Sequence, residues 1–322
     1  MKPENPAICT PEAARLALRT HYGYEAREVR AVPGGMSASA FSADHRFFLK
    51  LYDLRHPLAQ RCVHTLKNQM AVLSLLARSP LGGQICAPIP TLNGSLLFSD
   101  GLITGTLFDW IDGTAIGFGS PMTQQEKRCL AWFSASLHSL SAEPFRVLCP
   151  KEDFTVHFAE ELAGLLENAD HLLPEPLSAS LSPYRDAVLA QTGWLYHSAQ
   201  RLRSSPPPFV LCHTDLHGGN LLRRRDGSLA VVDWENVQLA PREADLFLFC
   251  EEPYFPLFRE PSDNGLLLYY LVRRDLEDLW EFCRTLLSGQ YHKSEVRVLL
   301  GHTERIAAHT ARLLTKTEGI FL

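Results

Sequence analysis

Two short apolar runs, "FVLC" at 209–212 and "LAVV" at 229–232, stand in a part of the chain whose other apolar residues recur every three or four positions. Neither run is long enough for a helix, and each ends in a polar cluster, "HTDLHGGN" after the first and "DWEN" after the second. A helical half interrupted by two strands must carry those polar residues on the adjoining loops. A rigid scaffold can hold loop residues in a working arrangement.

The first third reads differently. Thr10 caps a short helix that has Pro11 in its first turn, and Gly23 closes it. From Arg27 to Tyr52 the pattern is that of strands, interrupted by "VPGGMSASA" and ending in "RFFLKLY". Pro57 starts a helix with Leu58, Cys62, Leu66, Met70, Leu73 and Ala77 on one face. Strand patterns at Ser95–Ser99 and Leu102–Phe108 flank the Asp100-Gly101 turn. Beyond "FDWIDGT" helices are expected from the capping box Thr123 to Glu126, and near 153–169, 183–203, 241–251, 265–288 and 293–315. The expectation is an α+β chain in two lobes, a strand-rich 1–108 and a mainly helical 109–322.

Composition narrows the classes. At 46% hydrophobic and 21% charged the 322 residues have the make-up of an ordinary globular protein. The longest apolar stretch, Leu266 to Val272, falls far short of the roughly 20 residues that cross a bilayer. The N-terminal "MKPENPAICT" has no apolar core of a secretory signal, so a cytoplasmic location without membrane partners is expected. Eight cysteines stand singly, with no zinc-ribbon spacing, and read as free thiols. A net charge of -5 gives no support to nucleic-acid binding, and the one basic run, Arg223 to Arg225, reads as a solvated hairpin tip beside Asp226-Gly227.

Three chemistries compete for the 213–220 loop. His213, Asp215 and His217 are all metal-ligand types, and two histidines with one carboxylate suit iron. An Asx-rich turn joining two core strands is the bland alternative. Spacing favours the third. Asp215 and Asn220 are five apart, with His213 two before the aspartate, as in the kinase catalytic loop, and Asp233 follows thirteen residues after Asn220. Phosphoryl transfer needs a carboxylate beside the attacking hydroxyl, to orient it and take its proton. It also needs oxygen ligands for Mg²⁺, which offsets charge on the phosphates. Asp215 suits the first role, Asn220 and Asp233 the second.

With these residues in hand, "CHTDLHGGNLL…VVDWENVQLAPREADLF" resembles the aminoglycoside phosphotransferase and choline kinase family, which shares the protein-kinase-like fold; the second segment looks most like its spectinomycin phosphotransferase branch. The resemblance implies ATP, with GTP as an alternative, Mg²⁺, and a small hydroxylated acceptor that often bears an amine. It implies that Lys50 holds the donor's phosphates. It further implies that the turn at Gly34 and Gly35, with Ser37 or Ser39, covers the nucleotide and that "FDWIDG" offers backbone bonds to adenine near Asp109 and Ile111. Glu235, two past Asp233 and of the same strand parity, is a candidate for metal or substrate. His213 is expected to brace the backbone near Asp233, and His217 has no assigned part.

One departure stands out. The family usually pairs its lysine with a glutamate on the next helix, but no acidic residue occurs between Asp53 and Asp100. Gln69 or Asn68 could hold Lys50 through a neutral bond, or Lys50 could pair with Asp233. The departure keeps a nucleotide-binding pseudokinase in view beside a choline- or homoserine-type kinase. The acceptor and the oligomeric state are not legible in the sequence.

Overall fold

The Thr10 hydroxyl accepts the Ala13 amide and Pro11 supplies the first turn of helix α1 (Pro11–Tyr22), which Gly23 ends at a left-handed φ of 65°. The computed structural model describes residues 8–33, 38–117, 120–289 and 296–317. Strands β1 (Val29–Val32), β2 (Ser39–Ala43), β3 (Phe47–Asp53), β4 (Pro88–Ile89), β5 (Phe98–Asp100) and β6 (Ile103–Asp109) form one antiparallel sheet in the order β1-β2-β3-β6. Both β4 and β5 pair with β6, β4 at Leu107 and Phe108 and β5 at Ile103 to Gly105. Side chains alternate along β3, so Leu49 and Leu51 are fully buried with Ala14, Leu18, Phe41 and Leu107 on one face. Lys50 and Tyr52 therefore share the other face. Helix α2 (Pro57–Leu76) packs against β3. Each fully buried leucine of this core contributes about 1.5–3 kcal/mol.

The chain continues through β7 (Gly113–Ala115) into α3 (Gln124–His138), whose capping box is the one legible in the sequence: Thr123 Oγ1 accepts the Glu126 amide at 3.3 Å and Glu126 Oε2 accepts the Thr123 amide at 2.7 Å. The two apolar runs of the opening argument are strands, β8 (Val210–Cys212) and β10 (Leu229–Val231). Between them lies β9 (Leu221–Arg224), which pairs with both β10 and β7, and β8 pairs with β11 (Gln238–Ala240). The β7 pairing was not foreseen, since three residues of "GTA" carry no strand signal. The basic run also differs from expectation. Asp226-Gly227 forms the turn, but Arg223 is drawn onto the buried Glu126 carboxylate, and Arg224 donates to Gly83 O at 2.7 Å. Only Arg225 of the three is a solvated side chain, 3.0 Å from Asp112.

By mutual contact the chain groups into two units, 1–151 with 210–239 and 256–259, and 152–209 with 240–255 and 260–322. The boundary expected between residues 108 and 109 falls inside the first. The second unit is helical: α4 (Ala159–Glu167), α5 (Ala169–Leu172), α6 (Glu175–Leu181), α7 (Arg185–Ser204), α8 (Glu243–Leu246), α9 (Asn264–Ser288) and α10 (Val296–Thr317), with α7, α9 and α10 packed together. Two expected helices are shorter than the pattern suggests. The helix near 153–169 starts only at Ala159, because Phe154 has a left-handed φ of 55° and its amide is held by Glu152 Oε1 at 2.7 Å. The segment 241–251 forms one α turn and then a 3-10 turn at Phe247–Phe249, with Pro253 ahead denying helix geometry to the residue before it. Among the described residues no helix is long and apolar enough to cross a membrane.

Candidate functional site

The loop after β8 is held by a buried histidine. His213 is fully buried, its Nδ1 accepts the Asp215 amide at 3.3 Å, and its Nε2 therefore carries the proton given to Val232 O at 3.0 Å. Its ring lies 4.5 Å from that of Trp234. Val232 in turn donates to Asn220 O at 3.0 Å. One imidazole thus ties the loop bearing Asp215 to the strand end bearing Asp233. With both ring nitrogens used on backbone groups, His213 is a brace, as expected, and the iron reading loses a ligand.

Two non-glycine residues here adopt left-handed backbone, Thr214 at φ 67° and Asp233 at φ 64°. For a β-branched residue this is costly, about 1–3 kcal/mol, and such geometry persists where surrounding bonds enforce it. At Thr214 the hydroxyl donates to Asn236 O at 2.9 Å. Gly218 meets a different constraint. Gly117 N donates to Gly218 O at 3.0 Å, and a Cβ at Gly218 would stand 2.2 Å from Gly117 O.

Asp215 and Asn220 are brought together. Asn220 Nδ2 donates to Asp215 O at 2.9 Å and to Asp215 Oδ2 at 3.1 Å. His217, unassigned from sequence, caps the 3-10 turn that follows: its Nδ1 accepts the Gly219 amide at 3.0 Å, and its Nε2 lies 3.4 Å from Asp215 Oδ2.

Lys50 forms a second cluster. Its Nζ is 3.2 Å from Asp233 Oδ1 and 3.1 Å from Glu235 Oε1, so the direct pairing with Asp233 holds and Glu235 joins it. Burial pulls the Lys50 pKa down, but the two carboxylates outweigh it and leave the value above that of an ordinary lysine. Tyr52, two residues along β3 and on the same face, donates to Glu235 Oε1 at 3.1 Å. Burial, with the Glu235 charge beside it, pushes the Tyr52 phenol well above its usual range. Cys62 Sγ is 4.0 Å from Glu235 Oε2. Gln69 is not bonded to Lys50. Its Nε2 donates to Glu235 O at 2.8 Å and to Thr65 Oγ1 at 2.8 Å, and Asn68 is exposed. The roles of Tyr52 and Gln69 around Glu235 escaped the sequence reading, although the two-residue spacings Lys50 to Tyr52 and Asp233 to Glu235 were visible signals.

The other expected nucleotide contacts are less gathered. Gly34, Gly35 and Ser37 lie outside the described residues. Ser39 pairs with Leu51 across β2 and β3, which puts it on the face opposite Lys50. Asp109 ends β6, its carbonyl accepting the Cys86 thiol at 3.4 Å, and Trp110 N donates to Arg46 O at 2.8 Å, while Ile111 follows half-buried.

The donor set fits a hard cation. With Nδ2 of Asn220 spent on Asp215, its other amide atom is an oxygen, and the exposed Asp233 carboxylate adds more oxygen; carboxylate and carbonyl oxygens are what Mg²⁺ takes.

The model of the phosphotransferase enzyme family matches residues 28–286. Comparison with curated proteins finds no match. Among solved structures, the spectinomycin phosphotransferase APH(9)-Ia in complex with ADP and spectinomycin is similar at 19% identity and a TM-score of 0.70, over 98% of this chain and 100% of that one. The GDP and kanamycin complex of APH(2")-IIia is similar at 14% identity and a TM-score of 0.58, over 96% and 99%. An aminoglycoside phosphotransferase from Alicyclobacillus acidocaldarius subsp. acidocaldarius DSM 446 is similar at 14% identity and 0.58, over 99% of each chain. The shared fold is the α+β, protein-kinase-like one, with a small antiparallel sheet in the N-terminal region and a larger helical C-terminal part.

Proposed function

The chain belongs to the phosphotransferase enzyme family, whose members are small-molecule kinases, and from that premise we propose that it moves the γ-phosphoryl group of ATP to a hydroxyl of a small amine-bearing acceptor. The observation that carries this reading is the pair of clusters joined through His213: Asp215 with Asn220 on one side, Lys50 with Asp233 on the other. In it, Asp215 orients the acceptor hydroxyl and takes its proton as the phosphoryl group arrives. Lys50 sits against the α- and β-phosphates, and Asn220 and Asp233 hold Mg²⁺. Charge on the phosphate oxygens would be offset by the cation these residues would hold. Backbone groups at Asp109 and Ile111 receive the purine, and the turn of Gly34, Gly35 and Ser37 covers the phosphates. A cytoplasmic location, where ATP is supplied, goes with this reading.

The acceptor of first choice is an aminocyclitol of the spectinomycin type, supported by the similarity to the spectinomycin phosphotransferase over nearly the whole of both chains. A test is ADP release with MgATP or MgGTP against aminoglycosides, spectinomycin, choline, homoserine and sugar alcohols. Release should rise with an aminocyclitol, and Asp215→Asn should lower it by roughly 10²–10⁴, the usual share of a general base, while nucleotide still binds. Turnover unchanged in Asp215→Asn would remove the base assignment. A rise with choline or homoserine alone would move the acceptor class, and no rise at all would favour a pseudokinase.

A further inference from the structure

A kinase-type lysine must be held by an anion, since a long flexible ammonium left to itself does not stay on the phosphates. In this chain the helix after β3 cannot supply it: α2 runs from Pro57 to Leu76 without one aspartate or glutamate. At Gln69 it offers an amide instead, which reaches past the lysine to the main-chain carbonyl of Glu235. Glu235 is thus fixed twice. Its backbone is bound to α2 through Gln69, and its carboxylate is bound to β3 through Tyr52 and Lys50.

We infer that Glu235 is the anchoring carboxylate of Lys50, a positioning residue that takes the part of the helix glutamate missing from α2. This rests on the phosphotransferase reading for its purpose, but on the geometry around Lys50 for its content. Glu235 lies one residue beyond Trp234, whose ring packs on His213 and on Phe133 at 6.1 Å, and whose Nε1 donates to Val231 O at 3.1 Å. The turn Asp233-Trp234-Glu235 is therefore pinned at its centre. It carries Asp233, exposed and 3.2 Å from Lys50 Nζ, and Glu235, half-buried and 3.1 Å from the same atom. One candidate metal ligand, Asp233, and the anchor of the lysine, which kinases divide between two elements, stand here on one three-residue turn.

The arrangement makes a specific claim about energy: Glu235 acts on nucleotide only through Lys50. A double-mutant cycle with Lys50→Met and Glu235→Gln tests it, read as the MgATP dissociation constant by calorimetry, so that the result stands even if no acceptor is found. Glu235→Gln should weaken MgATP by roughly ten- to a hundredfold in the wild-type background, the worth of a charged hydrogen bond, and by less than about twofold in Lys50→Met. Tyr52→Phe, a milder change that keeps the ring in the core, should weaken binding by a few-fold and have no effect on top of Glu235→Gln. The Mg²⁺ concentration for half-maximal nucleotide binding should rise in Asp233→Asn and stay within about twofold in Glu235→Gln. Equal losses from Glu235→Gln in both backgrounds would overturn the inference, as would a tenfold rise in its Mg²⁺ requirement, which would mark Glu235 as a metal ligand. Loss of acceptor-dependent turnover in the wild type with the cycle intact would sink the phosphotransferase reading and leave the anchor standing.

Discussion

The close approach at Gly218 yields a quantitative prediction. An alanine Cβ there would sit 2.2 Å from Gly117 O and 3.1 Å from Gly117 C, both main-chain atoms. To reach even 3.0 Å, a separation that real Cβ atoms essentially never undercut, the two backbones must part by 3.0 − 2.2 = 0.8 Å. No side chain can swing away to absorb it. The shift strains the 3.0 Å bond from Gly117 N to Gly218 O, and it moves a loop whose next residues include Asn220. Overpacking costs about 1–3 kcal/mol and a lost hydrogen bond about 1 kcal/mol, so Gly218→Ala should destabilise by about 2–4 kcal/mol in urea unfolding. A displacement near 1 Å at a reacting group costs up to about 10² in rate, so turnover should fall in addition. Gly193→Ala is the control: it lies within α7, its Cβ would meet nothing within 4 Å, and it should stabilise by about 0.5–1 kcal/mol. If Gly218→Ala unfolded at the wild-type midpoint with wild-type turnover, the claim that this contact sets the loop would be wrong.

Two more predictions concern histidines. His213→Ala strips partners from the Asp215 amide and Val232 O and empties a fully buried site, so it should cost about 3–5 kcal/mol in urea unfolding; a loss under 1 kcal/mol would show that the brace is dispensable. In the helical unit His309 bonds Asp275 at 2.6 Å and Glu251 at 2.8 Å, and Lys316 joins Glu251 at 2.8 Å. The bond to Asp275 and then the two carboxylate charges raise the His309 pKa above 6.5. Its contribution to stability is therefore complete below pH 6.5 and is lost as pH rises through the higher folded value. Asp275, raised by burial despite His309, loses its own contribution at lower pH, as pH rises from 3.8 through its raised value. At Glu251 burial is outweighed by Lys316 and His309, so its pKa is lowered and its contribution is lost only as pH falls below about 4.5. The unfolding midpoint should fall as pH rises above 6.5, and His309→Gln should flatten that fall; an unchanged slope would refute the linkage.

Much of the site could be read before the fold was known, because its grammar is local. The spacing of His213, Asp215 and Asn220 is a property of one loop, and the Thr123 to Glu126 capping box of one helix turn. Parity along β3 put Lys50 and Tyr52 on one face with no need of any partner, since alternation is built into extended backbone. The absence of an acid on α2 was legible in the same way. Each of these depends on neighbours a few residues away, which the chain holds together whatever the rest does.

Where the anchor comes from could not be read that way. Lys50 meets Glu235 across 185 residues of sequence, and Gln69 reaches the same residue across 166. The local signal, two residues past Asp233, marks Glu235 as a candidate for metal or substrate and not as a partner of Lys50, and nothing local distinguishes Gln69 from an exposed helical glutamine. Arg223 likewise looked solvated until α3 placed the Glu126 carboxylate beside it. Helices at 153–169 and 241–251 are shorter than the pattern predicts because apolar periodicity cannot register a left-handed Phe154 or a turn ahead of Pro253. The order of residues is enough to say which chemical groups this protein has and on which faces and loops they sit. Tertiary structure decided which charge neutralises which, because a buried ammonium takes the carboxylate that packing brings within about 3 Å, and that choice is made by the closure of the whole chain.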